Sequence, residues 1–532
     1  LTHRRPARSL RAKKQEDAMT ESPADAGILG AAALTVADLF RDRASRHRDR
    51  VALEQDGRRW TYGALEDRVN RLARALAARG VGRGDRIAVL SENRHEFVEA
   101  ELAAASLGAI VACQNWRQSR EELAYCLALA EPCLCLVSER FEARLAEAGG
   151  GALPGLVFGP RYEAALAAES AAPPPDRAEP EDGLVILYTS GTTGMPKGAL
   201  ISQRAMVARA IIARADQSAF PEETFVAWSP MFHMGATDSA LAALMHGGKV
   251  IIQDGFDPAA LVAVLAREEL GWLSVMPGTA EPLLEELRRT GTRPRGVRLA
   301  GAMADLIAPA AIAELTERLQ APFRNTFGST ETGPGPASRG RIPVGATPAR
   351  LSKVQSSYCR IRLVDPEDRE VPDGQPGEVA FRGPSLFSGY WRAPETNARD
   401  FRGGWFHMGD VMRRNPDGTL DFVDRVKYLI KSGGENIYPA EIERVLLASP
   451  RVSEAVVVRR PDARWGEVPV AFVIRRDAAL TEAELIAACR AAIAGYKVPK
   501  EIRFIEEAAL PRSTTGKIRR HELEALLRPP PA

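Results

Sequence analysis

The sequence is short of several features that would narrow its role at once. It holds six cysteines in 532 residues, namely Cys113, Cys126, Cys133, Cys135, Cys359 and Cys489. No second Cys pair or His pair stands at zinc-ligand spacing, so the thiols read as buried structural residues rather than a metal site. Cys133 and Cys135 fall in "CLCLV" with strand alternation, which puts both on one side. So sparse a set fits a reducing, cytoplasmic compartment. Charge of one sign is also lacking. A formal net charge of +2 gives no reason to expect nucleic acid as partner. No apolar run approaches the ~18 residues of a membrane span; "LAAASLGAIVAC" is too short and reads as a buried helix or strand edge. There is no internal repeat.

One further absence is more telling. "YTSGTTGMPKGA", from Tyr188 to Ala199, has the look of a phosphate loop but is not G-x-x-x-x-G-K-[ST]. From Gly191 the second glycine of that pattern falls on Pro196, and from Gly194 the pattern fails again. Yet Thr189, Ser190, Thr192 and Thr193 offer hydroxyls, and Gly191 and Gly194 let backbone N–H groups approach an anion closely. Lys197 adds a charge. A polar surface turn seldom combines so many donors with a preceding apolar strand, so phosphate is the expected guest.

The length corresponds to about three or four domain-sized units. Residues 1–33 form a basic stretch with weak transit-peptide character and are read as a disordered extension, with Met19 offering an alternative start. "TVADLFRDRASRHRDRVALEQ" and "TYGALEDRVNRLARALAARG" carry helical periodicity behind the N-cap residues Thr35 and Thr61. Strand and helix patterns alternate from there, which predicts layered α/β architecture. "ESAAPPPDRAEPEDG" is a linker delivering the chain to the strand "LVILYTS". From about residue 341 short strands and turns predominate, as in "CRIRLVDPEDREVPDGQPGEVAFRG". The last ~100 residues read as a separate small α+β unit. The expected organisation is therefore a large multilayered α/β N-terminal domain, residues 34–424, with a β-rich subdomain. A small mobile α+β C-terminal domain, residues 425–532, follows.

Other clusters are individually weak. "NTFGSTETG" sets Glu331 after a Gly-Ser-Thr turn; a carboxylate beside a triphosphate is what Mg²⁺ needs, and Thr330 could bond a phosphate oxygen. His233 lies in the apolar "WSPMFHMGA", where a lone histidine is usually a core residue. "GWFHMGD" ends in Asp410, an acid that could grip ribose hydroxyls or decorate a surface turn. "DRVKYLIKSGGENIYPAEIE" joins a charged strand to a double-glycine turn and a helix, and "PRSTTGKIRR" sets Lys517 after a glycine.

In this order the clusters are specific together. Over about residues 35–525 the chain resembles the adenylate-forming superfamily of acyl-CoA synthetases, nonribosomal adenylation domains and beetle luciferases. Phe327 stands where that family usually has Tyr, and Met408 where it usually has Thr. The resemblance implies an ATP-dependent acid–CoA ligase working through an acyl-adenylate, with Mg²⁺ as cofactor; the alternative is a free-standing enzyme that loads a carrier protein. It implies that Thr189, Ser190, Gly191, Thr192, Thr193, Gly194 and Lys197 hold the β- and γ-phosphates. Thr330 then contacts the α-phosphate and Glu331 carries the metal. Phe327, Gly328, Gly301 and Ala302 bind adenine, and Asp410 and Arg425 bind ribose. Lys517 bridges carboxylate and α-phosphate, and His233 lines the acyl pocket. Lys427 falls at the family's hinge. Lys431, Ser432, Gly433 and Gly434 reach CoA after the lid rotates, the two glycines leaving space for a pantetheine arm. The acyl-pocket walls are expected from residues 228–239, 299–303 and 325–335. These lack a charge suited to an amino group, which favours medium-chain, alicyclic or aromatic acids. The Lys517 segment also resembles one read by bacterial protein acetyltransferases, implying such an enzyme as modifying partner. A homodimer is common among similar enzymes.

Overall fold

The structure is a computed structural model and describes residues 31, 33–175, 178–189, 195–217, 223–276, 278–512 and 518–527. The expected N-terminal extension lies outside these except for residues 31 and 33. The helix Val36–Arg46 begins at Thr35, whose hydroxyl accepts the Asp38 N–H at 3.1 Å while the Asp38 carboxylate accepts the Thr35 N–H. This capping box satisfies two of the N–H groups a helix start leaves unbonded. Thr61 caps Tyr62–Ala78 in the simpler way, accepting the Ala64 N–H.

Two sheets form the large domain. The first runs Gly155–Val157, Leu134–Val137, Arg86–Leu90, Ile110–Gln114, Gly183–Thr189, Lys197–Ser202, parallel except for the last pair. The second runs from the edge strand Arg341–Ile342 through Phe323–Asn325, Ala300–Ala302, Glu269–Ser274, Thr224–Ala227 and Lys249–Ile252 to Val51–Gln55 and Arg58–Thr61; only the two outer pairs are antiparallel. Strands covered on both faces read as unbroken apolar runs, as "LVIL" and "IVAC" do. The helix His95–Leu107 is buried at all thirteen residues. One continuous apolar cluster joins it to both sheets, through Val111 and Leu187 on one side and Phe225 and Val250 on the other. The helix is thus an inner layer.

A four-stranded antiparallel meander, Arg360–Val364, Pro376–Arg382, Phe406–Arg414 and Leu420–Arg425, makes the β-rich part. After a 3₁₀ turn at Val426–Tyr428, a five-stranded sheet with its own apolar core from Ile430 to Ile502 forms the C-terminal unit. The architecture is the expected α/β one with a small α+β unit.

One local reading needs correction. Cys133 precedes its strand and is exposed, whereas Cys135 lies within a strand buried at all four residues, so the stretch does not alternate and the two thiols do not share one environment. The proline-rich linker is held to the body of the domain. Arg74 donates to the carbonyls of Ala172 at 2.7 Å and Pro173 at 3.0 Å, and Arg83 pairs with Glu179 and Asp182.

Candidate active site

The motif loops leave the C-terminal ends of parallel strands, where open α/β sheets hold their ligands. Thr189 ends one such strand, Ala227 precedes the His233 segment, and Ala302 and Asn325 end two more. Thr189 pairs across the ladder with Lys197, so both ends of the proposed phosphate loop are held at one sheet edge. Ser190, Gly191, Thr192, Thr193 and Gly194 lie outside the described residues.

Lys197 connects this edge to the Thr330–Glu331 turn. Its ammonium lies 4.7 Å from the ring centroid of Tyr390, and the Tyr390 hydroxyl donates to Glu331 Oε1 at 2.8 Å. Burial pulls the Lys197 pKa below its ordinary value, and pushes that of Tyr390 up, with the Glu331 charge adding to the rise. The turn is fixed from behind by Arg209, which is 2 % exposed. Its guanidinium donates to the carbonyls of Thr330 at 2.9 Å, Glu331 at 3.3 Å and Ser385 at 3.1 Å, and pairs with Asp238 at 3.0 Å. Neither Arg209 nor Tyr390 could be singled out from sequence. Arg209 is one arginine in an ordinary helical stretch, and its partners lie 29 to 176 residues away.

Asp410 and Arg425 face each other across the meander and pair at 3.0 Å. Asp410, 4 % exposed, raises the Arg425 pKa. Phe327 packs with Phe422, ring centroids 5.7 Å apart, in a cluster containing Ile361, Leu363 and Met412; Met408 packs on the same cluster. The two departures from the family pattern therefore share one apolar environment, and neither strands a hydroxyl there. Gly328 starts a short hairpin with residues 333–336. The Thr326 N–H donates to the Ala302 carbonyl at 2.8 Å, joining the two adenine-side segments. The bare side of Gly301 is taken by protein: a Cβ there would lie 2.7 Å from the Trp272 ring and 2.5 Å from the Arg324 carbonyl.

His233 caps the helix Met234–Met245, its Nδ1 accepting the Gly235 N–H at 3.4 Å. That contact assigns the ring proton to Nε2. Beside this helix opens a cavity of about 280 Å³, lined by Met234–Ser239 residues, by Thr326, Gly328, Gly333 and Pro334, and by Trp272 and Arg324. Two of the three expected wall segments contribute. Residues 299–303 do not, because Trp272 and Arg324 stand in front of Gly301.

In the C-terminal unit, Lys427 lies in the Val426–Tyr428 turn, its ammonium 4.9 Å from the Tyr428 ring centroid. Lys431 and Ser432 form a hairpin strand against residues 435–437. Gly433 and Gly434 turn it with φ of 59° and 88°. The space beside Gly433 is filled by the Trp465 indole, 2.8 Å from where a Cβ would be, while that beside Gly434 is open. Lys517 lies outside the described residues. Among the described residues there is no group of three or more metal-ligating side chains, and no helix is long and apolar enough to cross a membrane.

Strand ends with a lysine and a threonine, a buttressed carboxylate turn, an acid–arginine pair and a cavity of mixed polarity stand together here. The AMP-binding enzyme family matches residues 40–391 and the AMP-binding enzyme C-terminal domain residues 441–517. A feruloyl-CoA synthase of Amycolatopsis is 33% identical over 477 residues, 89% of this chain and 95% of that protein. A 2-succinylbenzoate–CoA ligase of Bacillus cereus is 33% identical over 502 residues, 93% and 99% of the two chains. Among solved structures, ATP-bound MatB from Rhodopseudomonas palustris superposes with a TM-score of 0.81 at 28% identity, covering 93% of this chain and 99% of that one. The o-succinylbenzoate CoA synthetase of Bacillus subtilis, in complex with its acyl-adenylate, gives 0.79 at 26% identity, covering 91% and 97%; it has also been solved with ATP and magnesium. The chain belongs to the AMP-binding enzyme family, in the AMP-forming acyl-CoA ligase branch of the adenylate-forming superfamily.

Proposed function

We propose that this chain joins a small carboxylic acid to CoA in two half-reactions at one site. A carboxylate is a poor acyl donor, because its charge repels nucleophiles and oxide is a bad leaving group. In the first half-reaction a carboxylate oxygen attacks the α-phosphorus of ATP and pyrophosphate leaves. In the second the CoA sulfur attacks the acyl carbon, the thiol proton is released, and AMP leaves. The first step is mainly a matter of spreading phosphoryl charge and aligning the reactants.

The carrying observation is the chain of contacts Lys197–Tyr390–Glu331 with Arg209 behind it. It draws a phosphate-loop edge and a carboxylate turn, more than 130 residues apart in sequence, to one place. Lys197 and Thr189 supply charge and a hydroxyl to the phosphates, and Thr330 bonds the α-phosphate. Asp410 accepts ribose hydroxyls while Arg425, paired with it at 3.0 Å, holds it in place. Phe327 with the backbone of Gly301, Ala302 and Gly328 holds adenine. His233 Nε2–H is suited to the reacting carboxylate. Lys517 supplies charge to the carboxylate and α-phosphate in the first step alone. Glu331 fits Mg²⁺: it is a hard carboxylate whose Oε1 is positioned by the Tyr390 hydroxyl, and magnesium is commonly held by one or two carboxylates with substrate phosphates. When bound, the ion would neutralise phosphate charge. The hinge at Lys427 and the Lys431–Gly434 hairpin serve the second step.

The test is AMP and pyrophosphate release from purified protein with ATP, CoA and a panel of acids. Thioester formation with CoA and no added protein supports the reading. Adenylate formation that turns over only with a carrier protein replaces it with the carrier-loading alternative.

A further inference from the structure

The cavity beside the helix Met234–Met245 begins at Met234 and Gly235, next in sequence to His233, which does not itself line it. The helix Met234–Met245 runs its length, from the N-cap His233 to the C-cap His246, about 18 Å for twelve residues at 1.5 Å each. The cavity lining includes Gly235, Gly328 and Gly333, which flank the Thr330–Glu331 turn or start the helix, and Arg214 and His246, the latter at the helix's other end. Trp272 and Arg324 also line it, Trp272 pairing with Phe225 across the sheet.

Charge in this cavity is not balanced. Three guanidiniums line it, those of Arg209, Arg214 and Arg324, against two carboxylates, Glu223 and Asp238. Both acids are already engaged: Asp238 with Arg209 at 3.0 Å, and Glu223 with Arg298 at 2.9 Å from outside the lining. Burial lowers the His246 pKa to about 4, with Arg214 and Arg43 adding to the shift, so this ring is neutral near pH 7. Arg324 is the sharpest case. It is 2 % exposed, its Nε donates to the Ser338 carbonyl, and its guanidinium lies 5.8 Å from the Trp272 ring centroid. The buried Asp216 carboxylate acts on Arg324 through its charge but makes no hydrogen bond to it, and Nη2 is buried with no hydrogen-bond partner in the protein. A purely structural arginine stacked on a tryptophan is the plain alternative. It leaves a buried charged donor without a protein partner, which native proteins seldom tolerate without a water, ligand or ion to complete it.

We propose that the acid activated here carries a second carboxylate at its far end, received by the Arg324 guanidinium beside Trp272. This rests on the ligase reading and narrows its substrate class. The first carboxylate meets the phosphate site near His233, and the body lies along the helix between Gly235 and Trp272. A cavity of about 280 Å³ is at the low end for small-molecule sites, which suits a compact diacid and not a long acyl chain.

Two matched pairs test it: hexanoate against adipate, and 3-phenylpropanoate against 3-(4-carboxyphenyl)propanoate. Each acid is assayed by pyrophosphate release for kcat/KM, and by calorimetry for binding without turnover. The diacid of at least one pair should lead by about tenfold or more in both, the lower end for a charge-assisted hydrogen bond. Arg324→Met should abolish that lead, Arg324→Lys should keep part of it, and Arg214→Met should leave most of it. Equal or weaker binding of both diacids to the wild type overturns the proposal even if no variant folds. A diacid lead that survives Arg324→Met in folded protein overturns it too. Arg324-dependent diacid binding with no pyrophosphate from any acid would instead retain the subsite and remove the ligase reading.

Discussion

Glu331 Oε1 accepts the Tyr390 hydroxyl at 2.8 Å, and its own carbonyl is held by the Arg209 guanidinium and the Phe387 N–H. The carboxylate is thus aimed before any ligand arrives, which lowers the ordering cost of binding. Glu331→Ala should abolish magnesium-dependent pyrophosphate release. An unchanged magnesium requirement in that variant removes Glu331 from the metal role. Tyr390→Phe keeps the ring under Lys197 but loses the donor to Glu331. It should raise the magnesium concentration for half-maximal activity about 10-fold, as loss of a supporting hydrogen bond to a ligand commonly does. At this scale the sequence offers candidates where residues stand in short motifs, as Lys197, Glu331 and Asp410 do. It was not readable at Arg209, Tyr390 or Arg324. Their meaning depends on partners brought in by other strands and helices, and an isolated Arg or Tyr in a helical or strand pattern carries no mark of them.

The inner helix His95–Leu107 shows the same limit one level up. "HEFVEAELAAASL" reads as helix, and its C-terminal half as buried, but Glu96, Glu99 and Glu101 give no sign in sequence that the first half is buried too. The fold instead buries it whole. It can do so because partners arrive from distant segments: Arg68 for Glu99 at 2.6 Å, Tyr162 for Glu99 at 2.6 Å, and Thr237 for Glu101 at 3.1 Å. Caps such as Thr35 and Thr61 were legible because the partner is three residues away; these pairings span 31 to 136 residues. Burial pushes the Glu101 pKa up to about 8 from 4.5. The folded chain therefore keeps a proton there that the unfolded chain gives up above about pH 4.5. This acid subtracts stability progressively as pH rises from 4.5 to 8, and not below that range. Glu101→Gln removes the titration while keeping an oxygen to accept the Thr237 hydroxyl. Relative to wild type it should gain on the order of 2 kcal/mol at pH 8 and little at pH 5. Denaturant unfolding at the two pH values measures this, and a gain equal at both would disprove the linkage. His95 acts on the acid side. Burial holds its pKa down to about 3 from 6.5, so its stability contribution is full above about pH 6.5 and is lost as pH falls from there toward 3.

At the scale of the whole molecule the division into a large α/β body, a β-rich part and a small terminal unit was legible from the change in pattern alone, since periodicity reports layers directly. What pattern could not report is how the units are joined. The connection is the Val426–Tyr428 turn, between the strand Leu420–Arg425 and the C-terminal sheet. A buried carboxylate spans it: Asp424 Oδ2 accepts the Ala440 N–H at 2.8 Å, at the start of the helix Pro439–Leu447, while Oδ1 accepts the Arg425 N–H at 2.7 Å. One side of this bond belongs to the meander that carries Asp410 and the other to the terminal unit. A rotation of the terminal unit about Lys427 must break it, so Asp424 favours the arrangement seen here. Two variants separate rotation from latching. Lys427→Pro fixes φ near −65° and should slow thioester formation from supplied acyl-adenylate about tenfold or more, with pyrophosphate release from acid and ATP reduced far less. Lys427→Ala loses the charge but keeps the freedom, and should retain both half-reactions. Asp424→Ala removes the latch and should change the ratio of the two half-reactions at the expense of the step that the arrangement seen here serves. The three ratios, taken from single-turnover measurements of each half-reaction, separate the hinge from the latch. If Lys427→Pro and Lys427→Ala lower both steps equally, the turn is a passive connector and the rotation axis lies elsewhere.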